Sequence, residues 1–244
     1  MLLVNPEPTS SAMNTRRKFL LNGSMAATAM LAMKPFTSMA NSLGPVTGLR
    51  INSNSLVLAH TGNNLGNSNA QFLHNIANLK NNYSNLLMLH AGNKVAVPNA
   101  AYDASMHANA ANVVAPTDYR IVYKGNIKTG IISAEKASAD SINALAVYLK
   151  KEKNCHLVVC LSQLGYKSAS GLNDLSLAAS STHLDIIIGG HAGNFCSSPV
   201  IARNQNKQEV IINHAATNGL ALRKIEINFD TAGRKNLIAF TKTC

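Results

Sequence analysis

IIIGGHAGNF, residues 186–195, is a run of three isoleucines that ends in two glycines, a histidine and polar loop residues. An unbroken run of β-branched apolar residues suits a strand buried on both faces, as in the interior of a parallel sheet. His191 therefore stands where a strand stops and a loop begins. The question is which other side chains gather there, and whether they make a metal site.

Working outward, the same pattern recurs. Residues 55–60 (SLVLAH) read as a buried strand ending in a polar loop, and 85–90 (NLLMLH) as another, stopped by Ala91-Gly92-Asn93. Residues 156–161 (HLVVCL) form a third, followed by Ser162 and Gln163. Between the first two, Phe72, Leu73, Ile76, Ala77 and Leu79 recur at helical spacing over 70–82. Residues 120–123 and 127–133 read as a hairpin around Lys124-Gly125-Asn126. A helix is expected over 137–153, with Ile142, Leu145, Ala146 and Leu149 on one face and Lys150, Lys151 and Lys153 at the end where the helix dipole favours cations. A short helix around 173–180, a strand over 184–188 and closing strands over 210–213 and 222–229 complete the alternation, which argues for an α/β domain. Ligands in open α/β sheets bind beyond the carboxyl ends of the strands. Four loops are thus expected to converge: His60-Thr61-Gly62-Asn63, Ala91-Gly92-Asn93, Leu161-Ser162-Gln163 and Gly189-Gly190-His191.

The bulk numbers agree with one globular domain and exclude disorder: 46% of the 244 residues are hydrophobic and 14% charged. Aromatics are 5% and Trp is absent, so the core must be aliphatic. Asn is scattered without clustering, a compositional bias rather than a prion-like tract. Of the formal charge of +11, Arg16, Arg17, Lys18 and Lys34 against Glu7 place +3 ahead of residue 41, leaving +8. Those remaining cations are spread without interleaved aromatics, which reads as a basic surface and not as a nucleic-acid site. Cys155, Cys160, Cys196 and Cys244 lack C-x-x-C spacing. Cys155 and Cys160 flank a strand at odd separation and are expected on opposite faces, while a Cys196–Cys244 bridge stays open.

The N-terminus reads as an address. NTRRKFLLNGSMAATAMLAMKPFTSMANS carries two adjacent arginines, a mildly apolar stretch from Leu20 to Met33 and the triplet Ser38-Met39-Ala40, the layout of a signal peptide. Thr15-Arg16-Arg17-Lys18-Phe19-Leu20 resembles a twin-arginine export signal. The expected organisation is a signal over 1–40, with Met13 as an alternative start, a linker over 41–54 and one domain over 55–244. The mature chain is expected in the periplasm, with no membrane span.

At the strand ends the sequence resembles the calcineurin-like metallophosphoesterases, most closely the metallophosphatase domain of bacterial periplasmic 5′-nucleotidases and UDP-sugar hydrolases. LVLAHTGNNLG is similar to that family's first strand and H-T-N-D-x-H-G loop, and NLLMLHAGN to L-L-L-D-A-G-D. NCHLVVCLSQLGYK resembles D-L-V-I-x-L-S-H-L-G-Y, and HLDIIIGGHAGNF resembles V-D-x-I-I-G-G-H-x-H/Q-T. INHAATNGLALRKIEINFD resembles the closing strands, so the likeness spans residues 55 to about 240. It implies a four-layer α-β-β-α metallophosphoesterase-type sandwich, here reduced by a deletion between Asn93 and Tyr119.

The family's chemistry uses two divalent cations that polarise a phosphoryl oxygen and generate a hydroxide. Carried over residue by residue, this chain departs from that ligand set. Asn63 stands for the first Asp, Leu65 for its His, Asn93 for the bridging Asp and Gln163 for the His of the third segment. His191 keeps the first metal-binding His of the last motif, and Gly193 replaces the second. For the Gly-Asn-His motif two alignments stay open: YDASMHANA places Asn109 at the Asn ligand and Ala110 at the catalytic His, or the motif is deleted outright. In both, the catalytic His is missing, and no catalytic residue is assigned.

The resemblance thus implies a degenerate 5′-nucleotidase-like binding or interaction module with no cofactor, holding at most one divalent metal weakly at His191. The expected partners are a nucleotide or a separate nucleoside-recognition polypeptide of the nucleotidase C-terminal type. The competing reading is a metal-dependent phosphohydrolase with Asp103, Asp174 or Asp185 recruited to a rearranged site. His60, His74, His90, His107, His156, His183 and His214 read as loop or surface histidines.

Overall fold

The isoleucine run forms β7 (Ile186–Gly189), which is buried along its whole length because it has strands on both edges and side chains packed on both faces. The computed structural model describes residues 54–62, 70–92, 108–109, 118–135, 137–191, 196, 198–215 and 222–243. β7 lies in a six-stranded sheet ordered β4-β5-β6-β7-β9-β8, made of β4 (Arg120–Lys124), β5 (Ile127–Ser133), β6 (Leu157–Ser162), β8 (Val200–Arg203) and β9 (Glu209–His214). The interior strands β5, β6, β7 and β9 are parallel, and the outer β4 and β8 are antiparallel to their neighbours. The hairpin expected between β4 and β5 is present, with Gly125 at φ 55° in the turn.

A five-stranded sheet faces it, ordered β11-β10-β1-β2-β3. It comprises β1 (Ser55–Thr61), β2 (Leu86–His90), β3 (Ala108–Asn109), β10 (Leu222–Phe229) and β11 (Lys235–Thr243). β1, β2 and β3 run parallel, whereas β10 and β11 return antiparallel. Strand alternation sorts the side chains into layers. Leu56 and Leu58 of β1, Leu87 and Leu89 of β2, Leu157, Val159 and Leu161 of β6, and Ile186 and Ile188 of β7 share one core between the sheets. The opposite face of β1 and β2 packs Val57, Ala59 and Met88 against Ile76 and Leu79 of helix α1 (Ala70–Asn82). On the outer face of the six-stranded sheet, Val158, Cys160, Ile187 and Ile212 meet Ile142, Ala146 and Leu149 of α2 (Ala139–Lys151) and Leu177 and Ala178 of α3 (Asp174–Ser180). The architecture is the expected four-layer α-β-β-α sandwich. The segment on which a deletion was read lies outside the described residues, apart from β3 and residues 118–119.

Two assignments need correction. Asp185 precedes β7 instead of lying within the strand: its Oδ2 accepts a hydrogen bond from Val158 N at 2.7 Å and meets Lys150 Nζ at 2.7 Å, while Oδ1 meets Lys235 Nζ at 2.5 Å. Cys155 and Cys160 do not face opposite ways but pack in the same helix-side core. Cys155 sits ahead of β6, after Asn154 with φ 53°, so strand alternation does not reach it. Cys155, Cys160 and Cys196 are buried free thiols, and burial raises the pKa of each. Cys244 lies outside the described residues.

Candidate functional site

The parallel strands of both sheets end on the same side, and their ends meet. A side chain on Gly190, just past β7, would collide with the Ala91 carbonyl beyond β2 and with the Gln163 amide beyond β6. A Cβ on Gly62, just past β1, would lie 3.0 Å from Ala215 Cβ and 3.4 Å from Gly190 Cα. Backbone bonds lock the approach: Gly190 N donates to Ser162 O at 2.8 Å, Ala91 N to Thr61 O at 2.9 Å and Ala215 N to Gly189 O at 3.2 Å. The four loops converge as their positions in the sequence led us to expect, and the absence of a Cβ at Gly190 is what lets three strand ends touch.

His191 is partly exposed beside this junction, and Gln163 is half-buried with its amide against Gly190. Asn109 pairs with His90 in the β2–β3 register. Asn63, Leu65, Asn93 and Gly193 lie outside the described residues, although Gly62 and Gly92 immediately precede Asn63 and Asn93.

The histidines beneath the loops are where the sequence expectation fails. His60, His90 and His214 are each fully buried rather than in loops or at the surface. His60 ends the inward-facing row of β1, and neither of its ring nitrogens has a hydrogen-bond partner. Its pKa is lowered to about 3, first by burial and then by Arg223 and His214, so it is a neutral imidazole. His90 points to the α1 side, where its Nδ1 lies 2.9 Å from Thr61 Oγ1. Of the others, His74 is exposed, His156 and His183 are partly buried, and His107 is outside the described residues.

His214 belongs to a buried polar chain that sequence reasoning missed. Its Nε2 lies 2.8 Å from Asp174 Oδ2, at charge-contact distance though not aligned as a hydrogen bond, with both side chains fully buried. Asp174 Oδ1 accepts a hydrogen bond from Ser162 Oγ, which in turn accepts from Leu164 N at 3.1 Å. The Tyr166 ring stands edge-on to His214, 6.1 Å between centroids. Asp174 is delivered by the N-terminus of α3, where Asn173 and Ser176 form a reciprocal capping box. Gly189, opposite His214 in the register, leaves room for the imidazole. The order is Ser–Asp–His with the carboxylate in the middle. A nucleophilic triad needs the imidazole in the middle to take the hydroxyl proton, so this chain of contacts ties α3 to β6 and β9 and activates no nucleophile. The only local signal was the Asn-Asp pair opening α3. Nothing near His214 in sequence announces its partner.

No protein-family model matches the sequence, and no curated protein does. Solved structures do. A 5′-nucleotidase precursor from Thermus thermophilus superposes with a TM-score of 0.60 at 18% identity, covering 77% of this chain and 54% of that one. The NAD nucleotidase of Haemophilus influenzae gives 0.57 at 13% identity, covering 77% and 49%. A putative 5′-nucleotidase from Staphylococcus aureus, in complex with alpha-ketoglutarate, gives 0.51 at 10%, covering 77% and 54%. The chain spans about half the length of these structures. Two facing mixed sheets with helices outside, joined at their strand ends, give this chain the metallophosphoesterase-type fold of the 5′-nucleotidase structures.

Proposed function

We propose that this protein is a nucleotidase-fold binding module that has lost phosphate-ester hydrolysis. The observation that carries the reading is the strand-end junction: the ends that meet at Gly190 lead into Asn63, Asn93, Gln163 and His191, a set without the carboxylates the resemblance requires. Replacing Asp by Asn removes a full charge beside each cation. Between unit charges ~2 Å apart at an effective dielectric near 20, that is about 8 kcal/mol of attraction before desolvation. Two such replacements, with Leu65 and Gly193 at further ligand positions, do not fit a dinuclear divalent centre, and no reaction step is assigned through one. His191 holds at most one divalent ion weakly.

The recruited-carboxylate alternative loses two of its three candidates. Asp174 is fully buried between Ser162 and His214, and Asp185 is pinned by Lys150, Lys235 and Val158 N at the other end of the sandwich. Asp103 lies outside the described residues. Asp to Asn and His to Gln preserve size and hydrogen-bonding capacity, so the cleft keeps amide donors and acceptors suited to a nucleotide bound without metal or turnover. A separate nucleoside-recognition polypeptide is the partner we infer. Export through a twin-arginine-type signal to the periplasm is the localisation we infer, in keeping with the precursor form of the Thermus thermophilus nucleotidase.

The test combines metal content and turnover. Protein equilibrated with manganese, zinc or cobalt is assayed for bound metal and for phosphate release from AMP and p-nitrophenyl phosphate. Sub-stoichiometric metal and no release are expected. Two metals per chain with turnover would overturn the reading, and AMP binding in the presence of chelator would identify the ligand class.

A further inference from the structure

The opposite end of the sandwich carries a cleft of about 830 Å³, a volume typical of small-molecule sites. It opens between β11, the outer strand of the five-stranded sheet, and the β9–β8 edge of the six-stranded one. Its two ends differ chemically. Ile211 and Ile238 form apolar walls continuous with the core, and Ile201 and Phe240 flank the opening at 57% and 37% exposure. Exposed apolar side chains grouped around a concavity mark binding surfaces more often than chance exposure does.

At the other end Asp185 is shared by Lys150 and Lys235, whose side chains keep 23% and 25% of their surface exposed. Two ammoniums on one carboxylate leave a net positive charge. Each ammonium has three donors, and Lys150 commits two of them, to Asp185 and to the His156 carbonyl at 2.7 Å. The remaining lining charges largely cancel: Arg234 pairs with Asp230 at 2.9 Å, and Glu209 lies opposite Arg203 in the β8–β9 register. Along β11 the distance from Lys235 to Phe240 is about 17 Å at strand rise.

We propose that this cleft binds an amphipathic monocarboxylate, its head group at Lys150 and Lys235 and its apolar body along Ile211 and Ile238 between Ile201 and Phe240. The site is built from residues remote from the strand-end junction, so it stands whether or not that junction binds a nucleotide.

The test is calorimetric titration of the full chain with dodecanoate, long enough to span the cleft, at about pH 8, where the carboxylate is ionised. One saturable site is expected. Lys235→Met should weaken it about tenfold, the size of one charge-assisted contact. Octanoate, four methylenes shorter, should bind about a hundredfold less tightly or weaker, because each methylene it lacks would have been buried. Phe240→Ser, at a partly exposed position that leaves the fold intact by circular dichroism, should also weaken binding. The proposal is overturned by any of three results: no saturable binding, equal binding of dodecyltrimethylammonium, or wild-type affinity in both variants.

Discussion

Replacing Gly189 by alanine probes one of the closest approaches among the described residues. Gly189 closes β7 and lies opposite His214 at the end of β9. A methyl group there would overlap the imidazole, with Cδ2 and Cε1 each 2.5 Å from the new carbon, well inside van der Waals contact. The ring has no free side to move toward, being fully buried with Tyr166 edge-on and Asp174 at Nε2. Either the ring leaves Asp174 or the strand shifts. Overpacking of this kind costs about 1–3 kcal/mol, and parting a buried carboxylate from its partner adds about 1–3 kcal/mol. With a urea m-value of roughly 2 kcal/mol/M, the unfolding midpoint should fall by about 1–3 M. Urea titrations of Gly189→Ala, His214→Ala and the double variant separate the causes, since removing the ring makes space for the methyl. The double variant should be more stable than the summed single losses predict by at least ~1 kcal/mol. Strict additivity, or a midpoint shift below about 0.2 M for Gly189→Ala, would refute the packing argument.

Three further outcomes are expected. His60 has a folded pKa of about 3 against an ordinary 6.5, so the unfolded chain takes up a proton that the fold refuses; stability is full above about pH 6.5 and falls as pH drops toward 3, by about 1.4 kcal/mol per unit. His60→Gln should flatten that part of the stability–pH curve relative to wild type, and an identical slope between pH 6 and 4 would contradict the buried neutral imidazole. Asp185→Asn leaves Lys150 and Lys235 without their shared counter-charge and should cost about 2–4 kcal/mol in urea unfolding, given that the aspartate side chain is 9% exposed. Asn173→Ala removes the cap of α3 and should cost about 1 kcal/mol, with the loss matched by Ser176→Ala if the capping box is reciprocal.

The interior strands and all three described helices were legible in the sequence because their apolar runs are bounded by Gly, Asn and Ser and their periodicity is unambiguous. Of the outer strands only β4 was, through its hairpin turn. β8 alternates partly buried with exposed residues and leaves Ile201 in the open, β11 is tied by register to β10 alone, and β3 is a two-residue bridge. An outer strand lacks the doubly buried signature by which the others are recognised. The convergence of the loops followed from strand order, which the αβ alternation dictates. The fate of the histidines did not: a His closing a buried strand and a His opening a loop have the same neighbours in sequence, and only the facing sheet decides which is covered. Tertiary contact likewise brings Lys224 over Tyr83, an aromatic–cation pair 141 residues apart that no stretch of sequence displays.

The pairing of β1 with β10 carries a consequence in time. Ser55 bonds across to Asn228, roughly 170 positions later, so the ribosome works for about 10–30 s after releasing the first strand before its antiparallel neighbour exists. During that interval Leu56, Val57 and Leu58 gain α1, β2 and then the strands of the opposing sheet, but β1 keeps one edge without its partner. Birth of this protein therefore passes through a sandwich with one strand edge bare, and an edge left bare for that long is open to pairing with other chains until β10 arrives.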